Sequence, residues 1–371
     1  MIFDIICVNP RYYPRLPAEA SAQAGLSASI LSEARNKVLY KQVLMKEVLE
    51  TTKFAVEKSK FVHINLEAIN KVAGQWKKEN WQLPPWDFGY HFFDNSPRTL
   101  TYFFILDSIN FSFWTQKPHQ KYRRVYQGKE LGGHDSLALS LKLAFQRHNP
   151  IEKIEHLIKI RKGEFLKILG GKGELPLLEK RLHVLHQNAL ILKKKFQGEF
   201  AHAVEQAKGD VLKLVELLIT NFPSFNDATK YPNFAHDREQ SYGIAFYKRA
   251  QLLVNDIYTV FKGEGLGKFT DMDKLTAFAD YKIPQILRHW SILEYEKRLA
   301  SKVDAKIQLQ KSSREEIEIR ASTIWAVEYL KEELEKQGIS LESREIDWFL
   351  WKRAREEKGM KPHHRVRTIY Y

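Results

Sequence analysis

One carboxylate of this chain, Asp347, lies within a segment of large apolar side chains. The four residues that follow it in the segment 343–351 are Trp, Phe, Leu and Trp. If this segment is helical, Ile346 and Phe349 lie on a buried stripe and Asp347 lies on the adjoining one. A buried carboxylate must be paired or used, because breaking a buried ion pair costs on the order of 3–5 kcal/mol. The pattern therefore predicts either a reactive acid or a structural one.

Two interpretations of Asp347 stay open at this point. In the first, the carboxylate is held in a dry pocket for catalysis, since functional sites are where buried acids with shifted pKa values occur. In the second, it is a structural acid bonded to Arg344 or Arg320, because ion-pair networks also bury acids.

Two further clusters place acids beside aromatic rings, in segments 107–114 and 222–227. Both kinds of group can bind a flat polar ligand, and both can serve local structure instead, because Asp and Asn often cap turns. The candidate ligand-binding residues in these clusters are Asp107, Asn110, Trp114, Phe225 and Asp227.

A fourth cluster occupies residues 271–284. Asp271 or Asp273 is a good residue to cap a short helix ending near Asp280, and Pro284 suits the first turn of the next helix. That arrangement is a helix–hairpin–helix, which can direct backbone amides at a phosphate. The simpler alternative is that Asp280 and Tyr281 only close a junction between helices.

The elements that must position these residues are mostly helical. Apolar periodicity predicts helices over 27–58, 65–78 and 98–107. The stretch 111–114 resembles a short strand, and Gln127-Gly128 predicts a hairpin turn between 122–126 and 129–131. We expect one antiparallel sheet of about three strands, since a lone hairpin is marginal. Further helices are predicted near 136–148, 150–160, 176–196, 210–220, 244–261, 283–303, 314–337 and 341–357.

The predicted fold is therefore mainly α with a small antiparallel β-sheet. No linker rich in Pro, Gly or Ser divides the chain, which favours one helical fold. Within it, residues 1–58 are expected to form an N-terminal extension and helix that pack on a domain spanning 59–371.

Composition limits the classes of function. The 371 residues contain no run of about 18 apolar side chains, so no membrane-spanning helix is expected. Asp4 stands where a signal peptide carries basic residues, and the single cysteine, Cys7, permits no internal disulfide. We therefore expect a cytoplasmic protein with no membrane partner. None of the 13 histidines has metal-ligand spacing, so no metal is expected.

The formal net charge of +14 permits a phosphate-bearing ligand, from a nucleotide to RNA. The lysines are scattered, however, which is more typical of solvated helix faces than of a nucleic-acid stripe. The glycines of 263–267 do not form a nucleotide loop, because Phe269 stands where the hydroxyl residue belongs.

Several of these clusters, taken in series, resemble the queuosine salvage protein family, the queuosine 5′-phosphate N-glycosylases. The resemblance runs from about residue 60 to the end and leaves out the first ~55 residues. Lys282 departs from it, since an Arg is expected after Asp280-Tyr281. The motifs that carry the resemblance are 106–114, 222–227, 246–254, 278–285, 316–321, 346–351 and 362–371.

The resemblance implies a fold similar to helix–hairpin–helix DNA glycosylases, with no metal and no redox cofactor. It implies hydrolysis of the N-glycosidic bond of queuosine 5′-monophosphate, which releases queuine for tRNA modification. Asp347 matches the catalytic aspartate. The positions that match base recognition are Phe225, Asp227 and Ser343, and those with less defined substrate-binding roles are Asp280, Tyr281, Asp107, Asn110 and Trp114.

The chemistry agrees with these roles. A fixed carboxylate stabilises the positive charge that develops on the ribose, and Phe225 and Trp114 suit stacking on a flat base. Lys248 and Arg249 are candidates for the 5′-phosphate, while Arg249 alternatively pairs with Asp256 or Glu264. A non-catalytic RNA- or DNA-binding protein and a helical scaffold remain the competing interpretations; the enzyme is expected to form no stable nucleic-acid complex.

Overall fold

A computed structural model describes residues 48–78, 83–86, 89–232 and 242–371 of the chain. In these residues the helices are α1 (48–57), α2 (Leu66–Lys78), α3 (Pro97–Ser108), α4 (His134–Gln146), α5 (Ile154–Leu157), α6 (Lys162–Leu169), α7 (Leu178–Lys195), α8 (Phe200–Ala207), α9 (Val211–Asn221), α10 (Lys248–Val260), α11 (Ile283–His289), α12 (Lys297–Asp304), α13 (Arg314–Lys336) and α14 (Ser343–Glu356). The mainly helical prediction is confirmed.

The strands form three separate two-stranded antiparallel ladders in the described residues, and not one sheet of three strands. The predicted hairpin at Gln127-Gly128 is confirmed, with Tyr126 opposite Lys129. The pairs are β1 (Val62–Ile64) with β6 (Leu293–Tyr295), β2 (Arg123–Tyr126) with β3 (Lys129–Gly132), and β4 (Ala228–Tyr231) with β5 (Tyr242–Ala245).

The prediction of a strand at 111–114 is wrong. Residues 111–114 bond to the C-terminal residues 366–371 instead of to a neighbouring strand. The N–H of Ser112 donates to Tyr371 O at 2.9 Å, and its Oγ donates to Thr368 O at 2.8 Å. The aromatic pattern of this segment therefore reflects burial beneath the C-terminal residues.

Local sequence signals explain where several helices begin. The side chain of Ser96 caps α3, and Pro97 takes its first position, where a missing N–H costs nothing. A reciprocal capping box between Glu342 and Glu345 begins α14. Pro284 lies in the first turn of α11, as predicted.

Several helix predictions differ from the structure. Residues 150–160 hold only a 3₁₀ turn, Pro150–Glu152, and the short helix α5. The pattern over 283–303 is divided into α11 and α12, because residues 293–295 between them pair with β1. Within 271–282 only a 3₁₀ turn, Met272–Lys274, precedes α11. Asp271 does not cap that turn with its side chain, which bonds Lys274 at 2.8 Å.

Two apolar cores support the molecule. The larger one gathers buried side chains from α3, α4 and α7–α10, and the smaller one gathers those of α2 and α11–α14. All described residues belong to one compact unit. The helix α1 packs on α13, where Trp325 Nε1 donates to Thr52 Oγ1 at 3.1 Å. Residues 1–47 of the expected N-terminal extension lie outside the described residues, so the division at residue 58 stays a prediction.

None of the described helices combines the length and the apolar character needed to cross a membrane.

Candidate active site

A cavity of about 330 Å³ lies between α10, α14 and the irregular segments 110–113 and 278–282. The turn from β3 into α4 closes another side of it. The polar and charged side chains that line it are Asn110, Lys121, His134, Asp135, Lys248, Asn255, Asp256, Asp280, Lys282, Asp347 and Arg355. Its apolar and aromatic lining includes Trp86, Tyr90, His91, Phe111, Phe113, Phe278, Tyr281, Trp348, Trp351 and Tyr371.

Asp347 projects into this cavity from the second turn of α14. Its Oδ1 atom accepts a hydrogen bond from the backbone N–H of Phe278 at 2.8 Å. Burial, and then the nearby charge of Asp280, raise the pKa of Asp347 to about 7. The carboxyl is thus held rigidly and changes its protonation state near neutrality.

The structural interpretation of Asp347 paired it with Arg344 or Arg320, but both arginines have other partners. Arg344 pairs with Glu342, and Arg320 pairs with Asp227 at 2.6 Å. The stabilising contact of Asp347 is instead the backbone amide of Phe278. Its burial is therefore not explained by an ion pair with either arginine.

Asp280 lines the same cavity and is anchored in a similar way. Its Oδ1 atom accepts hydrogen bonds from the backbone N–H groups of Lys282 at 2.6 Å and Ile283 at 2.9 Å, where α11 begins. Burial raises the pKa of Asp280, and Lys248 and these hydrogen bonds oppose the shift. Tyr281 follows it into the cavity, and its ring packs on His363 with centroids 4.6 Å apart.

A second pair of acids lies at the α10 side of the cavity. Asp256 lines it, and burial followed by the charge of Asp107 raises the pKa of Asp256 well above its usual value. Burial raises the pKa of Asp107 to about 6, although Asn110 donates to its Oδ1 at 3.1 Å. Asp107 itself lies behind Asn110 and is not part of the lining.

Lys248 is placed among these acids. Its positive charge opposes the rise in the pKa values of Asp107, Asp256, Asp280 and Asp347, so all four carboxyls lie within reach of its field. Lys248 is the first residue of α10 and lines the cavity. The sequence prediction singled out Lys248 but considered Asp256 only as a partner for Arg249.

Arg249 does not make either of the ion pairs considered for it. Its guanidinium is buried and donates to backbone carbonyls: that of Asp107 at 2.7 Å, that of Ser108 at 2.5 Å and that of Ser224. Arg249 therefore ties α10 to the end of α3 and to the 222–227 turn.

Aromatic rings form two walls of the cavity. The indoles of Trp348 and Trp351 are stacked, with centroids 5.4 Å apart and planes inclined by 21°. Trp86 stacks on His91 at 4.6 Å. A flat heterocycle placed against these rings is excluded from water and strengthens nearby electrostatic contacts.

Besides Asp107, four residues predicted to bind substrate do not line the cavity: Phe225, Trp114, Asp227 and Ser343. Phe225 is fully buried among other phenylalanines, with the guanidinium of Arg249 5.0 Å from its ring centroid. The indole N–H of Trp114 donates to Val366 O at 3.3 Å, and Arg367 covers its ring.

The remaining two are engaged by other charged groups. Asp227 forms a two-bond ion pair with Arg320, with N–O distances of 2.6 and 3.1 Å. The hydroxyl of Ser343 donates to Glu328 at 2.8 Å. The roles in base recognition assigned to these four residues stay predictions.

At the side of the cavity formed by β3 and α4, three basic residues gather that were not assigned together from the sequence: Lys121, Lys282 and Arg355. Arg355 pairs with Asp135. Lys121 precedes the hairpin and Arg355 lies at the end of α14, so only the fold brings them together. The position of Lys282 near the site could have been predicted from the sequence, because it directly follows Asp280-Tyr281.

The arrangement can bind a ligand that is flat, polar and charged at its ends. Buried carboxyls beside aromatic walls can stabilise a positive charge that develops on a reacting sugar. Among the described residues, no group of three or more His, Cys, Asp or Glu side chains is arranged to hold a metal ion.

Comparison with known proteins agrees with this geometry. Residues 90–371 match the model of a family described as queuosine salvage protein. A Sphaerobacter thermophilus protein named queuosine 5′-phosphate N-glycosylase/hydrolase is 37% identical over 325 residues, covering 87% of this chain and 97% of that protein. Proteins of the same name from Mus musculus and Schizosaccharomyces pombe are 31% and 28% identical, covering 87% and 88% of this chain and 98% and 100% of their own lengths.

Proposed function

The chain belongs to the queuosine salvage protein family, and from that premise we propose that it hydrolyses the N-glycosidic bond of queuosine 5′-monophosphate. Water adds to the anomeric carbon, the bond to the base breaks, and the products are queuine and ribose 5-phosphate. The observation that carries the proposal is the buried pair Asp347 and Asp280 in an aromatic cavity large enough for a nucleotide.

We assign the catalytic role to the carboxylate of Asp347. Departure of the base leaves an oxocarbenium-like ribose, whose positive charge a fixed carboxylate stabilises. The same group can orient or deprotonate the attacking water. Phe278 N–H holds one oxygen of Asp347, which leaves Oδ2 for the substrate. Asp280 lies close enough to contribute, after burial, to the raised pKa of Asp347.

The departing base needs a hydrogen-bond donor. A 7-deazaguanine base lacks N7, the usual protonation site of a leaving purine, so its negative charge must be stabilised at another atom. Of the candidate donors, Tyr281 and Lys248 line the cavity, whereas Ser343 bonds Glu328 outside it. We therefore place Lys248 and Tyr281 on the base and assign stacking to Trp348 and Trp351, worth roughly 1–3 kcal/mol per base.

The proposal extends to the setting of the reaction. The 3₁₀ turn followed by α11 is the part of the chain that corresponds to the expected helix–hairpin–helix, and we retain the likeness to DNA glycosylases as a proposal. We further propose that the protein works in the cytoplasm on the free nucleotide, without a metal, a redox cofactor or a stable nucleic-acid complex.

One incubation tests the proposal. The purified protein is mixed with queuosine 5′-monophosphate, and free queuine and ribose 5-phosphate are quantified by liquid chromatography and mass spectrometry. Equal molar amounts of the two products are expected. An unchanged nucleotide, together with tight and strongly salt-dependent binding to tRNA, would instead support a non-catalytic RNA-binding protein.

A further inference from the structure

The basic residues at one side of the cavity repel one another. Burial and the charges of Arg355 and Arg123 lower the pKa of Lys121, and Asp135 opposes that shift. Burial lowers the pKa of Lys282; Asp280 opposes the shift, and Lys121 and Arg355 add to it. Like charges held together are costly unless an anion lies between them. The geometry thus leaves a place for a ligand with more than one negative charge.

The contacts of these side chains compensate only part of their charge: Arg355 pairs with Asp135, and Asp280 is the acid that acts on Lys282. The ammonium of Lys282 donates to two neutral oxygens, Gln285 Oε1 at 3.1 Å and Ala354 O at 3.5 Å. Arg355 is bound to Asp135. Burial by itself would raise the pKa of Asp135, but His134 and Arg355 outweigh it and lower that pKa. The acid thus neutralises part of the cluster.

The backbone beside Lys121 is also suited to an anion. Gly132 and Gly133 line the cavity directly before the 13-residue helix α4, and no side chain caps its first turn. A Cβ atom on Gly132 would lie 3.6 Å from Lys121 Nζ, so this ammonium is held next to the start of the helix. The N–H groups of a first helical turn favour a negative charge, and they add to the effect of the lysine.

We propose that Lys121, Lys282 and Arg355, together with the first turn of α4, bind the 5′-phosphate of the substrate. This inference rests on the proposed function, since it assumes a nucleotide in the cavity. It assigns the phosphate to one side of the cavity and the reacting sugar and base to the side of Asp347, Asp280 and Lys248.

The two basic residues first considered for the phosphate are less suitable. Lys248 is surrounded by four carboxyl groups, which would repel a phosphate dianion. Arg249 spends its donors on backbone carbonyls and is buried away from the lining. The Lys121 side of the cavity is where positive charge and backbone donors coincide.

The experiment compares two substrates that differ only in the phosphate. The kcat/KM values for queuosine 5′-monophosphate and for queuosine are measured for the wild type and for Lys121→Gln, Lys282→Gln and Lys282→Arg. Each Gln variant is expected to reduce the preference for the nucleotide over the nucleoside by about 10- to 100-fold, the scale of one lost hydrogen bond to a charged group. Lys282→Arg should retain most of the preference, because it keeps the charge.

The matched control is Lys129→Gln, an exposed lysine on β3 of the same hairpin that does not line the cavity. It should leave the preference at the wild-type value. Equal losses for nucleotide and nucleoside in Lys121→Gln and Lys282→Gln, or no loss in either, would overturn the phosphate assignment while leaving the glycosylase proposal standing.

A binding measurement separates the two proposals further. Ribose 5-phosphate is titrated into each variant by calorimetry, and melting curves verify that each variant is folded. Weaker binding to Lys121→Gln than to Lys129→Gln supports the phosphate site even in a protein that releases no base. Identical binding by both variants contradicts it.

Discussion

At the scale of single residues, the surroundings of Asp347 determine what it can do. One oxygen is occupied by the N–H of Phe278, which holds the carboxyl in place. Burial and Asp280 bring its pKa to about 7, so the charged form costs more here than in water. That cost is recovered when a positive charge forms beside it in the transition state, which is the basis of electrostatic catalysis.

Replacing Asp347 by Asn should reduce the rate of queuine release by about 100-fold or more, the scale of one lost electrostatic contact. The fold should persist, because the amide oxygen of Asn can still accept the hydrogen bond from Phe278. Single-turnover assays and circular dichroism measure the two effects. Asp273→Asn, which changes an exposed acid, is the control. Nearly full activity in Asp347→Asn would remove it from the catalytic role.

The pH profile of kcat/KM should rise through about pH 7, because ionised Asp347 is the active form and its pKa is raised to about 7. The negative charge of Asp280 contributes to that shift, so Asp280→Asn should move the rising limb toward lower pH. Rates measured from pH 5 to 9 for both proteins test this. If the rising limb of kcat/KM lies at the same pH in Asp280→Asn as in the wild type, the two carboxyls are not coupled.

At the scale of elements, the buried ion pair between Asp227 and Arg320 connects the turn after α9 with α13. The guanidinium of Arg320 lies over the ring of Phe246 at 3.9 Å and that of Tyr371 at 4.4 Å. One arginine thus joins α13, the residues before α10 and the end of the chain. These contacts position α10, and with it Lys248, and they also hold Tyr371 in the lining of the cavity.

Asp227→Asn should lower the free energy of unfolding by about 3–5 kcal/mol, because the buried charge of Arg320 loses its partner. Urea denaturation at pH 7 measures the loss. The control is Asp271→Asn, which breaks the exposed pair with Lys274 and should cost less than about 1 kcal/mol. If Asp227→Asn leaves the midpoint unchanged and weakens substrate binding instead, the role in base recognition is the correct one.

At the scale of the whole molecule, the net charge of +14 and the local charges of the cavity have different consequences. Scattered lysines create a general attraction for anions, which salt screens over roughly 10 Å. In the cavity, charge is arranged locally instead: Lys248 lies near buried carboxyls, and Lys121, Lys282 and Arg355 lie together at another side. Selectivity for one nucleotide therefore has to come from the cavity and not from the surface.

Queuosine 5′-monophosphate at 100 times its dissociation constant should stabilise an inactive, folded variant by about 2.7 kcal/mol, which corresponds to a shift of several degrees in melting temperature. Asp347→Asn suits this measurement by differential scanning fluorimetry. GMP at the same concentration should give a clearly smaller shift, because its base lacks the cyclopentenyl-amine arm that the base of queuosine carries. Equal shifts would mean that the cavity recognises only the features that the two nucleotides share.

The sequence by itself determined the helical character of the chain, the hairpin at Gln127-Gly128 and the burial of Asp347 beside aromatic side chains. These depend on periodicity, turn chemistry and short motifs, which are local properties. Predictions from local patterns were wrong where a distant segment of the chain forms the hydrogen bonds. Residues 111–114 look like a strand but bond to the C-terminal residues 366–371, and 283–303 look like one helix but are interrupted by pairing with β1.

Only the tertiary structure decided which polar residues share the cavity. Asp227 and Asp347 both stand beside aromatic residues in the sequence, yet the first meets Arg320 and the second faces open space. Asp256, Lys121 and Arg355 carried no local signal, because their role depends on residues that only the fold brings near them, such as Asp135, which pairs with Arg355 across 220 positions of the chain. Burial and charge act through space, so the pKa of a carboxyl and its partner depend on long-range packing that spacing alone does not encode.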